Sequence, residues 1–255
     1  MISNFFEIFI FSIIQGISEF LPISSAAHLI IVSNIYEFKN QSLLIDISLH
    51  LGSLLAILFY FKKEIFNFNK NINLFYKIGI STIPLIIVGY ILYATGAINY
   101  LRGIKVIAWS TLFFGILLYI ADKNKIFNNL EKNFNIKSAI IIGLFQIIAL
   151  IPGVSRAGIT ITAGRILGFN RTDSTKISFY MSIPALIGAS TLSIKDLFNE
   201  NIEFNFLVFI SIFLSFIFSY ITIKFFFVFI KNFSLNLFVI YRIILSLFLF
   251  YIIYF

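Results

Sequence analysis

Gln15-Gly16-Ile17-Ser18-Glu19-Phe20-Leu21-Pro22-Ile23-Ser24-Ser25-Ala26-Ala27-His28 is a polar passage set inside an apolar one. Hydrophobic residues lead into it from Phe5 and resume beyond it at Leu29. An ionisable side chain at membrane depth costs roughly 2.5–3.5 kcal/mol on insertion scales. Here a carboxylate and an imidazole stand beside Gly16 and Pro22, residues that interrupt helices. A second passage, Pro152-Gly153-Val154-Ser155-Arg156-Ala157-Gly158-Ile159-Thr160, places a guanidinium in the same setting. Packing alone gives no reason for either. Together they predict two broken helices that meet within a membrane and build a polar site there.

The rest of the chain fits that frame. Of 255 residues, 60% are hydrophobic and 12% charged, about half the charged share of a soluble domain. The mean hydropathy is +0.99. Apolar segments cover 43–61, 75–97, 104–121, 177–194, 204–224 and 233–254, near the roughly 20 residues that cross a bilayer. The runs 5–30 and 137–165 carry the two polar passages. None alternates with period two, so a β-barrel is not expected. The prediction is an all-α polytopic membrane protein forming a single integral-membrane domain over 1–255. Residues 1–14 lack a positive start, carry Glu7 and lead straight into the first motif, so they are not read as a signal peptide. The absence of cysteine excludes disulfides and thiolate chemistry.

Charge sets the expected topology. Formal net charge is +8. Lysines gather in the linkers 62–77 and 122–137, and Arg165, Arg171 and Lys176 in 165–176, which places all three on the cytoplasmic side. On this reading Arg165 and Arg171 are topology charges. Linker 195–203, with Asp196, Glu200 and Glu203 against Lys195, is expected outside. Run 137–165 then begins and ends inside, so it is a re-entrant hairpin, and 5–30 is its counterpart entering from outside. Each hairpin is followed by about three spans, which gives two halves of opposite orientation, roughly 1–125 and 130–255. Gln15…Pro22-Ile23-Ser24-Ser25 is echoed about 130 residues later by Gln146…Pro152-Gly153-Val154-Ser155. Inverted repeats with discontinuous helices are a known membrane architecture.

The residue types suggest chemistry on an anion. Glu19 can hold a metal, move a proton or tie two helices together. Gln15 lies four residues ahead, on the same helical face. His28 is a candidate base or nucleophile, and Ser25 a candidate nucleophile or cap. Arg156 presents a planar fork suited to phosphate. Gly153 and Gly158 let backbone amides approach it, and Ser24, Ser155 and Thr160 add hydroxyls. His50, near Asp46, is a possible supporting or interfacial residue. The positive balance favours an anionic substrate or lipid head group. No basic stripe is interleaved with exposed aromatics, so no nucleic-acid partner is expected.

At these residues the chain resembles the undecaprenyl-diphosphatase family of the bacitracin-resistance type. The first motif is similar to that family's (E/Q)GxTEFLPxSSxxH pattern, the second to its PGxSRSGxT pattern. Asp46-Ile47-Ser48-Leu49-His50-Leu51-Gly52 and Ser178-Phe179…Ser182-Ile183-Pro184…Gly188-Ala189 also look like the family, so the resemblance spans essentially the whole chain. It implies hydrolysis of a C55 polyprenyl diphosphate to the monophosphate, recycling the lipid carrier of peptidoglycan synthesis and conferring bacitracin resistance. It implies a bacterial inner-membrane enzyme with a periplasm-facing site, a divalent cation (Mg²⁺ or Ca²⁺) and a possible homodimer. Carried over by motif, Glu19, Ser25, His28 and Arg156 are the catalytic positions, and Glu19 and Gln15 the metal positions. Gln15, Ser24, Gly153, Ser155, Gly158 and Thr160 are the substrate-binding set. Ser18 departs from the usual Thr, Ala26-Ala27 from a more polar pair, and Ala157 from the Ser after the arginine. The main alternative is a transporter or flippase for an anionic prenyl lipid. The other membrane-phosphatase class needs a second histidine after its Ser-Arg motif, which this chain lacks.

Overall fold

The computed structural model describes residues 2–36, 43–197 and 206–255. The described residues are helical throughout, apart from turns and one isolated bridge between Asn128 and Phe169. Helix α1 spans Ile2–Ser18, α2 Ser25–Tyr36 and α3 Leu43–Tyr60. A short α4, Lys62–Phe66, leads into α5, Phe68–Ala94. A 3-10 turn, Ala97–Leu101, precedes α6, Ile104–Asp122. The second part runs through α7 (Leu130–Asn133), α8 (Ile136–Ile147), α9 (Arg156–Ile166), α10 (Arg171–Leu197), α11 (Phe206–Asn232) and α12 (Asn236–Tyr254).

Four of these, within α5, α6, α11 and α12, are long and apolar enough to cross a membrane. Their outward faces carry Ile83, Phe113, Phe209 and Leu247, all exposed. That is the surface a helix shows to lipid, where apolar side chains need no protein cover. Two expected spans differ. The apolar stretch of α3, Leu44–Tyr60, is shorter, and α10 is long but rich in hydroxyls, with Thr172, Ser174, Thr175, Ser178 and Ser182. The linker read at 62–77 is mostly helix, because α5 begins well before its apolar run. Glu200 and Glu203 of the expected external linker lie outside the described residues.

Both broken helices form as expected. Each turn passes through a serine in left-handed backbone, Ser24 at φ 78° and Ser155 at φ 68°. Among the described residues these are the only non-glycine positions with positive φ. Each such residue costs on the order of 1–3 kcal/mol and persists only where its surroundings over-determine it. Here the surroundings are the opposite turn. The Gly153 amide donates to Ser24 Oγ (3.2 Å), and Ser155 Oγ donates to the Leu21 carbonyl (3.5 Å).

The hairpins also trade packing partners. Helix α1 packs on α11, and α8 packs on α5. Both contacts depend on a glycine. A Cβ at Gly16 would collide with Phe218 and the Ser219 backbone, and one at Gly143 with the Ser81 backbone. Small residues at such crossings let helices approach where lipid supplies no hydrophobic drive. Ser53 on α3 meets Ser219 (3.0 Å) and Ser215 (3.3 Å) on α11, and Ser215 donates to the Leu49 carbonyl (2.6 Å). The central core includes Phe20, Ile57, Ile142, Ile161, Phe179 and Phe226. Phe20 is wholly buried and meets Phe179 edge to face, which anchors the first turn next to Glu19.

Candidate active site

Glu19 follows the end of α1, and its amide still bonds to the Gln15 carbonyl (3.0 Å). Arg156 opens α9, whose start is capped by Ser155 Oγ accepting from the Gly158 amide (3.0 Å). The two meet: Arg156 Nη2 donates to Glu19 Oε1 at 2.9 Å, with side-chain exposures of 13% and 7%. A pair this enclosed is strong only if its remaining donors and acceptors are satisfied. They are. Glu19 Oε2 accepts from Ser25 Oγ (2.7 Å) and Gln15 Nε2 (3.1 Å). Arg156 Nη1 donates to the Ser178 carbonyl (3.2 Å).

Glu19, Ser25 and Arg156 line a cavity of about 110 Å³ whose wall also includes Ser24, Ser155, Ala149 and Pro152. Thus Glu19, Ser24, Ser25, Ser155 and Arg156 face one space. Gln15 stands behind Glu19 and is fully buried. Thr160 is behind Arg156, donating to the Arg156 carbonyl (2.7 Å) and meeting Ser178 Oγ (2.7 Å). Gly153 and Gly158 also sit behind the wall. A Cβ at Gly153 would collide with Ser110 on α6, and one at Gly158 would come within 3.0 Å of Arg242 Nη1. Ala157 is buried and is not part of the cavity wall, so the missing serine hydroxyl takes nothing from that surface.

His28 is the exception. Its Nδ1 meets the Ser24 carbonyl (2.6 Å) and its Nε2 the Tyr241 hydroxyl on α12 (2.5 Å), with the two rings stacked. Both nitrogens are engaged away from Glu19, and His28 does not line the cavity. Its visible task is to hold the carbonyl of the left-handed Ser24. His50 directs Nδ1 to the Asp46 carbonyl (2.7 Å) and lines a neighbouring cavity.

Arg242 was not singled out by the sequence reading. It is wholly buried in α12 and donates to the carbonyls of Pro22 (3.2 Å), Gly153 (2.8 Å), Val154 (3.0 Å) and Thr111 (3.2 Å). One cation thereby fastens both turns to α6. A lone arginine in the middle of an apolar run was the available signal, since such a charge calls for a partner. Arg165 and Arg171 are more than topology charges. Arg171 forks onto Asp122 (2.7 and 2.9 Å), and buried Arg165 bonds the carbonyls of Asp122, Asn124 and Phe169. Asp122 also accepts from the Leu235 amide (3.3 Å), so this cluster joins the ends of α6, α9 and α12.

Among the described residues no three His, Cys, Asp or Glu side chains gather as a metal cage. The available oxygens are Glu19 and Gln15 Oε1, which is buried without a hydrogen-bond partner. Two protein oxygens suit a hard divalent ion that takes its other ligands from phosphate and water.

The family model described as bacitracin resistance protein BacA matches residues 8–248. An undecaprenyl-diphosphatase from Pelagibacter ubique (strain HTCC1062) is 58% identical over 255 residues, covering 100% of both chains. Relatives of the same name from Campylobacter curvus (strain 525.92) and Aliivibrio salmonicida (strain LFI1238) are 39% and 40% identical, covering 96% and 95% of this chain and 98% and 96% of theirs. With agreement along its whole length, the chain belongs to the bacitracin resistance protein BacA family.

Proposed function

We propose that the chain is an undecaprenyl-diphosphate phosphatase, converting the C55 diphosphate to the monophosphate and inorganic phosphate. The observation that carries this reading is one arrangement: a serine hydroxyl donating to a carboxylate that is itself paired with an arginine, all facing one polar cavity. Transport of an anion needs the arginine but not the hydroxyl–carboxylate pair.

Ser25 Oγ is 2.7 Å from Glu19 Oε2, within reach for proton transfer. As Oγ bonds to the terminal phosphorus, Glu19 takes its proton, and the bond from that phosphorus to the bridging oxygen breaks. The lipid monophosphate leaves with the bridging oxygen, and Glu19 passes to it the proton taken from Ser25. Arg156 turns from Glu19 to the phosphoryl oxygens and stabilises the charge that develops there. Water then attacks the phosphoserine, the bond from phosphorus to Ser25 Oγ breaks and inorganic phosphate leaves, while Glu19, ionised again, takes the water's proton and returns it to Ser25 Oγ. Glu19 and Gln15 are the proposed protein ligands of a divalent cation, Mg²⁺ or Ca²⁺, which neutralises phosphate charge when bound. His28 holds the first turn.

In this reading the protein resides in the bacterial inner membrane, faces the periplasm and recycles the carrier lipid of cell-wall synthesis, and its abundance confers bacitracin resistance. A homodimer and the division into inverted halves near 1–125 and 130–255 belong to the same proposal. The exchange of packing partners between the hairpins supports the division. It is also the observation that favours the second reading, a carrier for an anionic prenyl lipid. Phosphate release by the purified protein from a C55 diphosphate, with and without chelator and beside Arg156→Ala, separates the two. Release that requires both cation and Arg156 is expected. Binding of the lipid without any release would favour the carrier.

A further inference from the structure

Three cavities lie in a row. The polar one shares Ala26, Leu150 and Pro152 with a second of about 180 Å³, to which His50, Asp46 and Arg102 contribute. The second shares Leu150 and Ile98 with a third of about 380 Å³, an apolar groove between α5 and α10. Gly89 and Tyr90 line one side of that groove, and Ala185 and Gly188 the other.

We infer that this row is the footprint of the lipid diphosphate. The terminal phosphate sits at Glu19, Ser25 and Arg156. The phosphate that stays on the lipid faces Arg102 and His50. The first isoprene units follow the α5–α10 groove. The inference rests on the phosphatase reading and adds the residues that receive the rest of the substrate.

Three observations carry it. The first is order. A prenyl diphosphate is strongly anionic at one end, less so at its second phosphate and apolar beyond, and the cavities follow that sequence with shared walls. The second is Arg102. Its guanidinium makes no hydrogen bond or ion pair with any described residue, and among the side chains lining the second cavity it is the permanent cation. His50 has Nδ1 on the Asp46 carbonyl, which leaves Nε2 to face a ligand. The Asp46 carboxylate on the same wall opposes an anion, so Arg102 and His50 must act together. The third is the pair of groove glycines. A Cβ at Gly89 would meet Leu150 at 3.5 Å and one at Gly188 would meet Ile86 at 3.6 Å, both ordinary contacts. Unlike Gly16 and Gly143, these glycines are not required by helix packing, and their effect is to keep the groove open. The competing apolar groove, about 210 Å³ between α6 and α12, shares no residue with the polar cavity.

The test is photolabelling of the full protein with a prenyl diphosphate carrying a diazirine on its second isoprene unit, with hydrolysis followed in the same sample. Label is expected on α5 and α10, near Gly89 and Gly188. Hydrolysis with the label on α6 and α12 would overturn the footprint and leave the phosphatase reading intact. Absence of hydrolysis would strike that reading instead, while the label still reports where the lipid lies. Two sets of variants sharpen the result. Arg102→Ala is expected to raise KM about tenfold with kcat within about twofold, and Arg102→Lys to recover part of the loss. Gly188→Leu, which fills the groove without disturbing the helix, is expected to raise KM for the C55 substrate and to displace the label. An unchanged KM in Arg102→Ala and Gly188→Leu would contradict the inference.

Discussion

The two broken helices use the same backbone and divide the chemistry. Each turn passes through a left-handed serine whose side chain reaches the other turn. One residue after that serine stands Ser25 in the first turn and Arg156 in the second; five residues before it stand Glu19 and Leu150. The first turn therefore supplies the anion and the hydroxyl, and the second the cation and an apolar wall. Nine residues before each serine is a buried glutamine. Gln15 donates to Glu19, whereas the amide of Gln146 has no partner among the described residues. The scaffold is shared, while each turn contributes half of a site that neither holds alone.

The largest expected effect comes from removing the cation of the second turn. Arg156→Ala should lower kcat/KM by about a thousandfold, because the transition state loses its clamp and Glu19 is left buried without its counter-charge. Turnover assays on folded protein check this, and a loss below tenfold would mean that the turns do not share the chemistry. Next is the fastening of both turns. Arg242→Met keeps the bulk but strands four carbonyl acceptors, at a cost of about 2–4 kcal/mol. A lower melting temperature and impaired turnover together are expected; lost stability with normal turnover would show that the registration of the turns does not matter.

The sequence carried much of this and missed part for physical reasons. Both turns were legible because polar and helix-breaking residues cluster locally within apolar runs. The sequence placed Glu19 in one turn and Arg156 in the other, but their ion pair came only with the structure. Tertiary approach was not legible. Nothing near Tyr241 marks it as the partner of His28, and Leu150 looks like any core leucine although all three cavities in the row touch it. Arg242 was legible in principle. A cation in the middle of run 233–254 demanded a partner, and its partners proved to be carbonyls exposed by the turns themselves. The partners of His28 were not legible either: beside two serines it reads as a base, and the structure sets its ring nitrogens on Ser24 and Tyr241.

Smaller effects refine the comparison. Ser155→Ala removes the cap of α9, worth about 1 kcal/mol, and its bond to Leu21. A modest fall in melting temperature is expected, and no change would mean that α9 holds its position by packing alone. Tyr241→Phe deletes only the hydroxyl that meets His28 and should change kcat by less than about threefold. A much larger loss would return His28 to the chemistry.

Whether Ser25 or His28 carries the chemistry is decided by kcat for Ser25→Ala beside His28→Ala, measured on the C55 diphosphate with protein of matched melting behaviour. A loss of about a thousandfold or more is expected for Ser25→Ala and less than about tenfold for His28→Ala. Substantial turnover in Ser25→Ala, with His28→Ala inactive, would contradict that expectation.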